Sequence, residues 1–160
     1  MMEIEHKFLL KPDDESWRAQ ATRRVEVVQG YLATGAVTVR VRLQSNKPDG
    51  VLCIKSEGTG LARQEFEYAI PADEARAMLT GLCGGRTVAK TRFYVPAAEE
   101  NLVWEIDAYH GPFEGHFTAE LEVPSEETPF TRPVWLGREV SDDLRYRNAA
   151  LAEAQRWPDA

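Results

Sequence analysis

The chain reads as an α+β fold that is mostly β, its short antiparallel strands forming a barrel or a sandwich. Three observations predict this. Eight short segments alternate apolar and polar residues with period two, turn residues punctuate them, and residues 1–160, without internal repeat or linker, suit one domain. Short connections favour antiparallel neighbours, and this many strands in one domain favour a closed or stacked sheet.

The first strand is predicted over residues 3–10, where Glu3, Glu5 and Lys7 alternate with Ile4, His6 and Phe8. Asp13 or Asp14 then caps a predicted helix running through Trp17 and Ala21. Strands follow over residues 25–33, 37–44, 51–56 and 63–70, with Thr34-Gly35 and Lys47-Pro48-Asp49-Gly50 as hairpin turns. Pro71-Ala72-Asp73 opens a second helix with Ala75, Met78, Leu79 and Leu82 as its apolar stripe, and Gly84-Gly85 ends it. Residues 88–95, 102–109 and 118–123 supply the remaining strands, with a longer turn from Gly111-Pro112 onward. An alanine-rich helix over residues 148–156 is stopped by Pro158.

Hydrophobic residues make up 43% of the chain and charged residues 28%, which supports a packed core and argues against wholesale disorder. A formal net charge of -7 argues against a binder of nucleic-acid duplexes, whose surface is ordinarily basic. A small polyanion in a local basic pocket stays compatible with it. Met1-Met2-Glu3-Ile4-Glu5-His6-Lys7 carries charges where a signal peptide needs an apolar core, and no stretch is long enough to span a bilayer. The expected address is therefore the cytoplasm, with no membrane partner; the oligomeric state stays open, a homodimer included. Cys53 and Cys83 make neither a disulfide framework nor a CxxC knuckle, and are expected to be buried and reduced.

Alternation assigns the charges to shared faces. Arg40 and Arg42 oppose Val39, Val41 and Leu43; Lys55 opposes Leu52 and Ile54; Arg63, Glu65 and Glu67 oppose Phe66, Tyr68 and Ile70. Lys90 and Arg92 oppose Phe93 and Val95, Glu105 and Asp107 oppose Trp104 and Ile106, and Glu120 and Glu122 oppose Leu121 and Val123. One such strand alone is ordinarily half-buried, with its charges in water. The set is different, because the pairs along each face mostly carry the same sign. Same-face neighbours lie roughly 6.5–7 Å apart, so each pair costs about 2–3 kcal/mol in a partly dry site. A counter-charged ligand between the walls relieves that repulsion, and the charged faces are accordingly expected to point inward.

Clustered carboxylates suit a hard divalent cation such as Mg²⁺ or Mn²⁺, and clustered arginines and lysines suit phosphate oxygens. Together they point to a metal–polyphosphate complex. No Walker A loop, GxGxxG segment or HExxH is present, and His6, His110 and His116 have no ligand spacing, which leaves them packing or surface roles.

Glu3-Ile4-Glu5-His6-Lys7 resembles the opening ExExK motif of the CYTH superfamily, the triphosphate tunnel metalloenzymes. Val39-Arg40-Val41-Arg42, Ile54-Lys55, Glu65-Phe66-Glu67, Lys90-Thr91-Arg92, Glu105-Ile106-Asp107 and Glu120-Leu121-Glu122 follow in the family's order. Trp135-Leu136-Gly137 and Tyr146-Arg147-Asn148 are similar to the tail of its short bacterial members. The resemblance implies an eight-stranded antiparallel tunnel with helices packed outside, acting on a small-molecule triphosphate. Inorganic triphosphate comes first. Thiamine or nucleoside triphosphate hydrolysis, a class IV-type adenylyl cyclase and a non-catalytic polyphosphate-binding module are the alternatives. By the same resemblance Glu3, Glu5 and Glu122 hold the metal, and Asp107 and Glu120, with Glu105 beside them, help position a second one. Lys7, Arg40, Arg42, Lys55 and Arg92 clamp phosphate oxygens, while Glu65 and Glu67 orient those bases or contribute to the outer shell of the second metal. Gln29-Gly30-Tyr31-Leu32 and Val88-Ala89-Lys90-Thr91-Arg92 resemble segments of the short inorganic triphosphatases, which implies a Tyr31–Lys90 pair activating water, or Lys90 as a plain clamp.

Overall fold

Nine strands and two α-helices make up the computed structural model, which describes residues 2–57 and 61–159; Met1 and Ala160, the ends of the expected domain, lie outside it. The strands are β1 (Met2–Leu10), β2 (Arg23–Ala33), β3 (Val37–Gln44), β4 (Gly50–Ser56), β5 (Ala62–Ile70), β6 (Thr87–Pro96), β7 (Val103–Tyr109), β8 (Phe117–Glu122) and β9 (Leu136–Glu139). The helices are α1 (Ala72–Gly81) and α2 (Asn148–Ala154).

Two meanders, β2–β5 and β6–β8, meet where β2 pairs with β6, giving the order β5-β4-β3-β2-β6-β7-β8-β1. β1 closes the ring. It pairs with β8 along one edge, and its first residues pair with β5 on the other through Met2↔Gln64, Glu3↔Arg63 and Ile4↔Ala62. All neighbours are antiparallel, and the closed eight-stranded barrel expected from the resemblance is formed.

The ninth strand was not expected. β9 takes up the edge of β1 beyond β5, at Phe8↔Glu139 and Leu10↔Leu136. Leu-Gly-Arg-Glu has no useful alternation, and β1 supplies its hydrogen-bonding edge. Gly137 permits the approach: a Cβ there would lie 2.8 Å from the Leu9 carbonyl oxygen.

The predicted first helix is instead a 3₁₀ turn, Ser16–Gln20. The Asp14 carboxylate accepts hydrogen bonds from the Ser16 backbone and hydroxyl, which favours a local turn over a continued helix. The predicted final helix stops at Ala154, because Gln155 adopts the left-handed conformation (φ 53°) before Pro158 is reached.

Most apolar side chains face outward from the barrel, and those of β1, β6, β7 and β8 are largely covered, whereas Phe66 and Tyr68 of β5 stay exposed and Val25 and Val27 lie on the inner face of β2. Phe8, Phe93, Val95, Trp104, Ile106 and Leu121 form a core with Trp17 from the 3₁₀ turn and Trp135 from the tail. Each such side chain contributes about 1.5–3 kcal/mol when fully buried. α1 packs over β3 and β4, its Ala75 resting beside Val41, and a Cβ at Gly50 would meet Ala75 Cβ at 2.5 Å. A second core joins Tyr31, Val88 and Tyr109 of the strands to Leu151, Ala152 and Trp157, so α2 and the tail fill one end of the barrel.

Candidate functional site

The charged faces point inward. Glu3, Glu5 and Lys7 of β1, Tyr31 of β2, Arg40 and Arg42 of β3, and Lys55 of β4 line one cavity of about 190 Å³. Glu65 and Glu67 of β5, Arg92 of β6, Glu105 of β7, and Glu120 and Glu122 of β8 complete the predicted lining.

Strand order sorts these residues by sign. The neighbouring strands β4, β3, β2 and β6 carry Lys55, Arg40, Arg42, Lys90 and Arg92, which makes one side of the barrel basic. β7, β8, β1 and β5 follow around the ring with Glu105, Asp107, Glu120, Glu122, Glu3, Glu5, Glu65 and Glu67, which makes the other side acidic. Lys7 and Arg63 are the basic exceptions on that side.

The two sides touch at their borders. Lys55 Nζ lies 2.7 Å from Glu3 Oε1 and 3.8 Å from Glu65 Oε2. Arg92 forks onto Asp107 through Nε (2.7 Å) and Nη2 (2.9 Å), and reaches Glu105 at 2.9 Å and Glu120 at 3.4 Å.

Acids crowded against one another resist ionisation. Burial first, and then the adjacent Glu120, push Glu5 well above the usual carboxylate range. Burial, with hydrogen bonds that its carboxyl donates to Glu3 and Glu67, pushes Glu65 up to about 8, and burial with Glu3 and Glu105 raises Glu122. Glu120 moves the other way: against its burial, Lys7 and the hydrogen bond from Glu5, with Arg92 and Lys90, hold it well below its ordinary value. Acids that must share protons in this way are an oxygen-rich set suited to a hard divalent cation. Cys53 stands among them, its Sγ and oxygens of Glu65 and Glu67 all lying within 4.8 Å of one another.

Lys90 and Asp107 are placed differently. Both are 0% exposed, they approach to 2.8 Å, and neither lines the cavity. Burial, with Arg92 and Arg42 nearby, pushes Lys90 down to about 7, although Asp107 opposes the shift. Lys90 makes no direct hydrogen bond to Tyr31. Asp107, held low by Arg92 and Lys90 against its burial, spends both oxygens on those cations.

Several residues of the inner face and the cavity lining were not assigned from the sequence. Cys53 was read only as a buried thiol, yet alternation puts it on the face of Lys55. Gln29 shares the inner face with Tyr31, a signal that period two carried, and it is fully buried against Arg42. Arg63, and Ser141, Arg147 and Asn148 of the tail, also reach the cavity. The histidines stay outside it: His6 meets Glu139 at 2.8 Å, His110 meets Thr91, and His116 stacks on Trp157.

The CYTH domain family matches residues 1–154 of this chain. An inorganic triphosphatase of Acetivibrio thermocellus is 38% identical over 94% of the chain and 93% of its own length. An inorganic triphosphatase of Nitrosomonas europaea is 37% identical, over 95% and 97% respectively. The crystal structure of an inorganic triphosphatase superposes with a TM-score of 0.63 at 34% identity, covering 94% of this chain and 93% of that one.

Proposed function

The chain belongs to the CYTH domain family, and we propose on that footing that it hydrolyses inorganic triphosphate to pyrophosphate and orthophosphate. The observation that carries this reading is the segregation of charge around one enclosed cavity, basic on β4, β3 and β6 and acidic on β7, β8, β1 and β5. A linear polyanion fits along the basic side, and a divalent cation fits between it and the acids. Identity of 37–38% to two inorganic triphosphatases over nearly the whole of each chain favours that substrate over thiamine or nucleoside triphosphates.

Glu3, Glu5, Glu120 and Glu122 are assigned to Mg²⁺ or Mn²⁺, with Glu65 and Glu67 beside them. When bound, such an ion neutralises charge on the phosphates and helps align the water that attacks a terminal phosphorus. Lys7, Arg40, Arg42 and Lys55 grip phosphate oxygens and hold the chain extended for in-line cleavage of the P–O–P bridge. Arg92 joins them, aimed by Asp107 and flanked by Glu105. Lys90 serves Asp107, and through it Arg92, from beneath the cavity. Among the described residues no helix is long and apolar enough to cross a membrane.

Orthophosphate release from inorganic, thiamine and nucleoside triphosphates, each with Mg²⁺ or Mn²⁺, tests the reading. Inorganic triphosphate should turn over fastest. Glu5→Ala and Glu122→Ala should each abolish most of that turnover, by at least about 10²-fold, while remaining folded. Cyclic nucleotide as the product would make the chain a cyclase, and tight triphosphate binding without phosphate release would make it a polyphosphate-binding module.

A further inference from the structure

We propose that Gln29 is a positioning residue that turns the Tyr31 hydroxyl into a hydrogen-bond donor toward the substrate's phosphate oxygens. The assignment rests on the triphosphatase reading and deepens it.

Gln29 is fully buried, on the inner face of β2, two residues before Tyr31. Its Oε1 accepts a hydrogen bond from Arg42 Nε at 3.0 Å, and its Nε2 donates to Tyr31 Oη at 3.3 Å. The orientation of the amide follows from chemistry. A guanidinium has only donors, so the carbonyl end of Gln29 must face Arg42, and the NH₂ end must therefore face the phenol. Tyr31 thus accepts from Gln29, and its own O–H proton finds no acceptor among the described residues.

That proton has a destination in the cavity. Tyr31 lines it, and Arg40 is its cross-strand partner while Arg42 is the partner of Gln29. Anionic oxygens drawn to those arginines are acceptors only, so a hydroxyl among them has to donate. A donor held in place before charge develops favours the transition state over the ground state. Tyr31 on this account supplies a proton donor to bound phosphate and does not withdraw a proton from water.

Steady-state kinetics on inorganic triphosphate with Mg²⁺ test this in wild type, Tyr31→Phe, Gln29→Glu, Gln29→Met and the doubles of each Gln29 variant with Tyr31→Phe. Tyr31→Phe should lower kcat by about 10²-fold with little change in KM. Gln29→Glu presents acceptors to both Arg42 and Tyr31, so the phenol proton turns back into the wall and kcat should fall comparably. Gln29→Met releases the phenol and should cost less. In the Tyr31→Phe background neither Gln29 substitution should lower kcat more than about twofold further. A structural or purely electrostatic role would leave their effects undiminished in that background, and this outcome overturns the proposal. So does wild-type kcat in Tyr31→Phe, which leaves the triphosphatase reading standing. Absence of phosphate release from the wild type would remove that reading and the proposal together. Should Gln29→Met not fold, Gln29→Glu, which keeps the side-chain volume, carries the comparison.

Discussion

Lys90 is a cation sealed from water, and the cost of sealing it should be visible in the pH dependence of folding. Its ordinary pKa of 10.5 applies in the unfolded chain, whereas the folded chain releases the proton near 7. Between those values the unfolded state holds more protons, so this group favours folding increasingly as pH rises, and its penalty is fully present below about 7. Lys90→Met removes the titration. In urea unfolding, wild type should gain on the variant by up to about 1.4 kcal/mol per pH unit from pH 7 to 9. Glu65, raised to about 8, acts in the opposite sense between 4.5 and 8, but is common to both proteins and cancels in the difference. A gap that does not change with pH would mean that Lys90 keeps its proton in the fold.

At the scale of elements, α1 rests directly on the backbone of β4. The space for a Cβ at Gly50 is already occupied by Ala75, so Gly50→Ala should cost about 1–3 kcal/mol by lifting the helix. Gly50→Ala/Ala75→Gly returns the space but gives up about 1 kcal/mol of helix propensity. The double variant should therefore lose less than the two single losses added together, and urea midpoints read this directly. Strict additivity would show that the two positions do not touch.

The elements were legible where a local rule governs them. Alternation in β1, β3 and β5 places Glu3, Arg40 and Glu65 on the inner face, and Pro71 and Gly84-Gly85 bracket α1. What escaped was set by distant chain, with one local exception at the 3₁₀ turn. β9 exists because β1 has an edge to spare, and Asp14 folds the 3₁₀ turn locally against a helical pattern. Side-chain partnerships escaped for the same reason: nothing in Glu105-Ile106-Asp107 tells that Asp107 is claimed by Arg92 and Lys90 while Glu105 meets the cavity. Those facts need the register Arg92↔Asp107, which β6 and β7 acquire only on pairing.

For the whole molecule, a barrel with opposed basic and acidic walls should bind cation and polyanion cooperatively, since each lowers the repulsion that the other meets. Thermal unfolding with Mg²⁺ alone, with a non-hydrolysable imidotriphosphate alone, and with both tests this. Each alone at about 100 times its dissociation constant should raise the midpoint by about 5–10 °C, corresponding to about 2.7 kcal/mol, and the two together should raise it by more than the separate shifts combined. Independent, merely summed shifts would mean that the two sites do not share the cavity.

The outward packing of the apolar faces also has an optical consequence. All four tryptophans lie away from the cavity: Trp17, Trp104 and Trp135 sit in the outer core, and Trp157 lies among Tyr109, Tyr146 and His116 at the filled end. Ultraviolet emission from this protein should therefore report the integrity of its shell with high contrast and stay nearly silent as the chamber fills. Occupancy has to be followed by heat, by released phosphate, or by a fluorophore introduced on the inner wall.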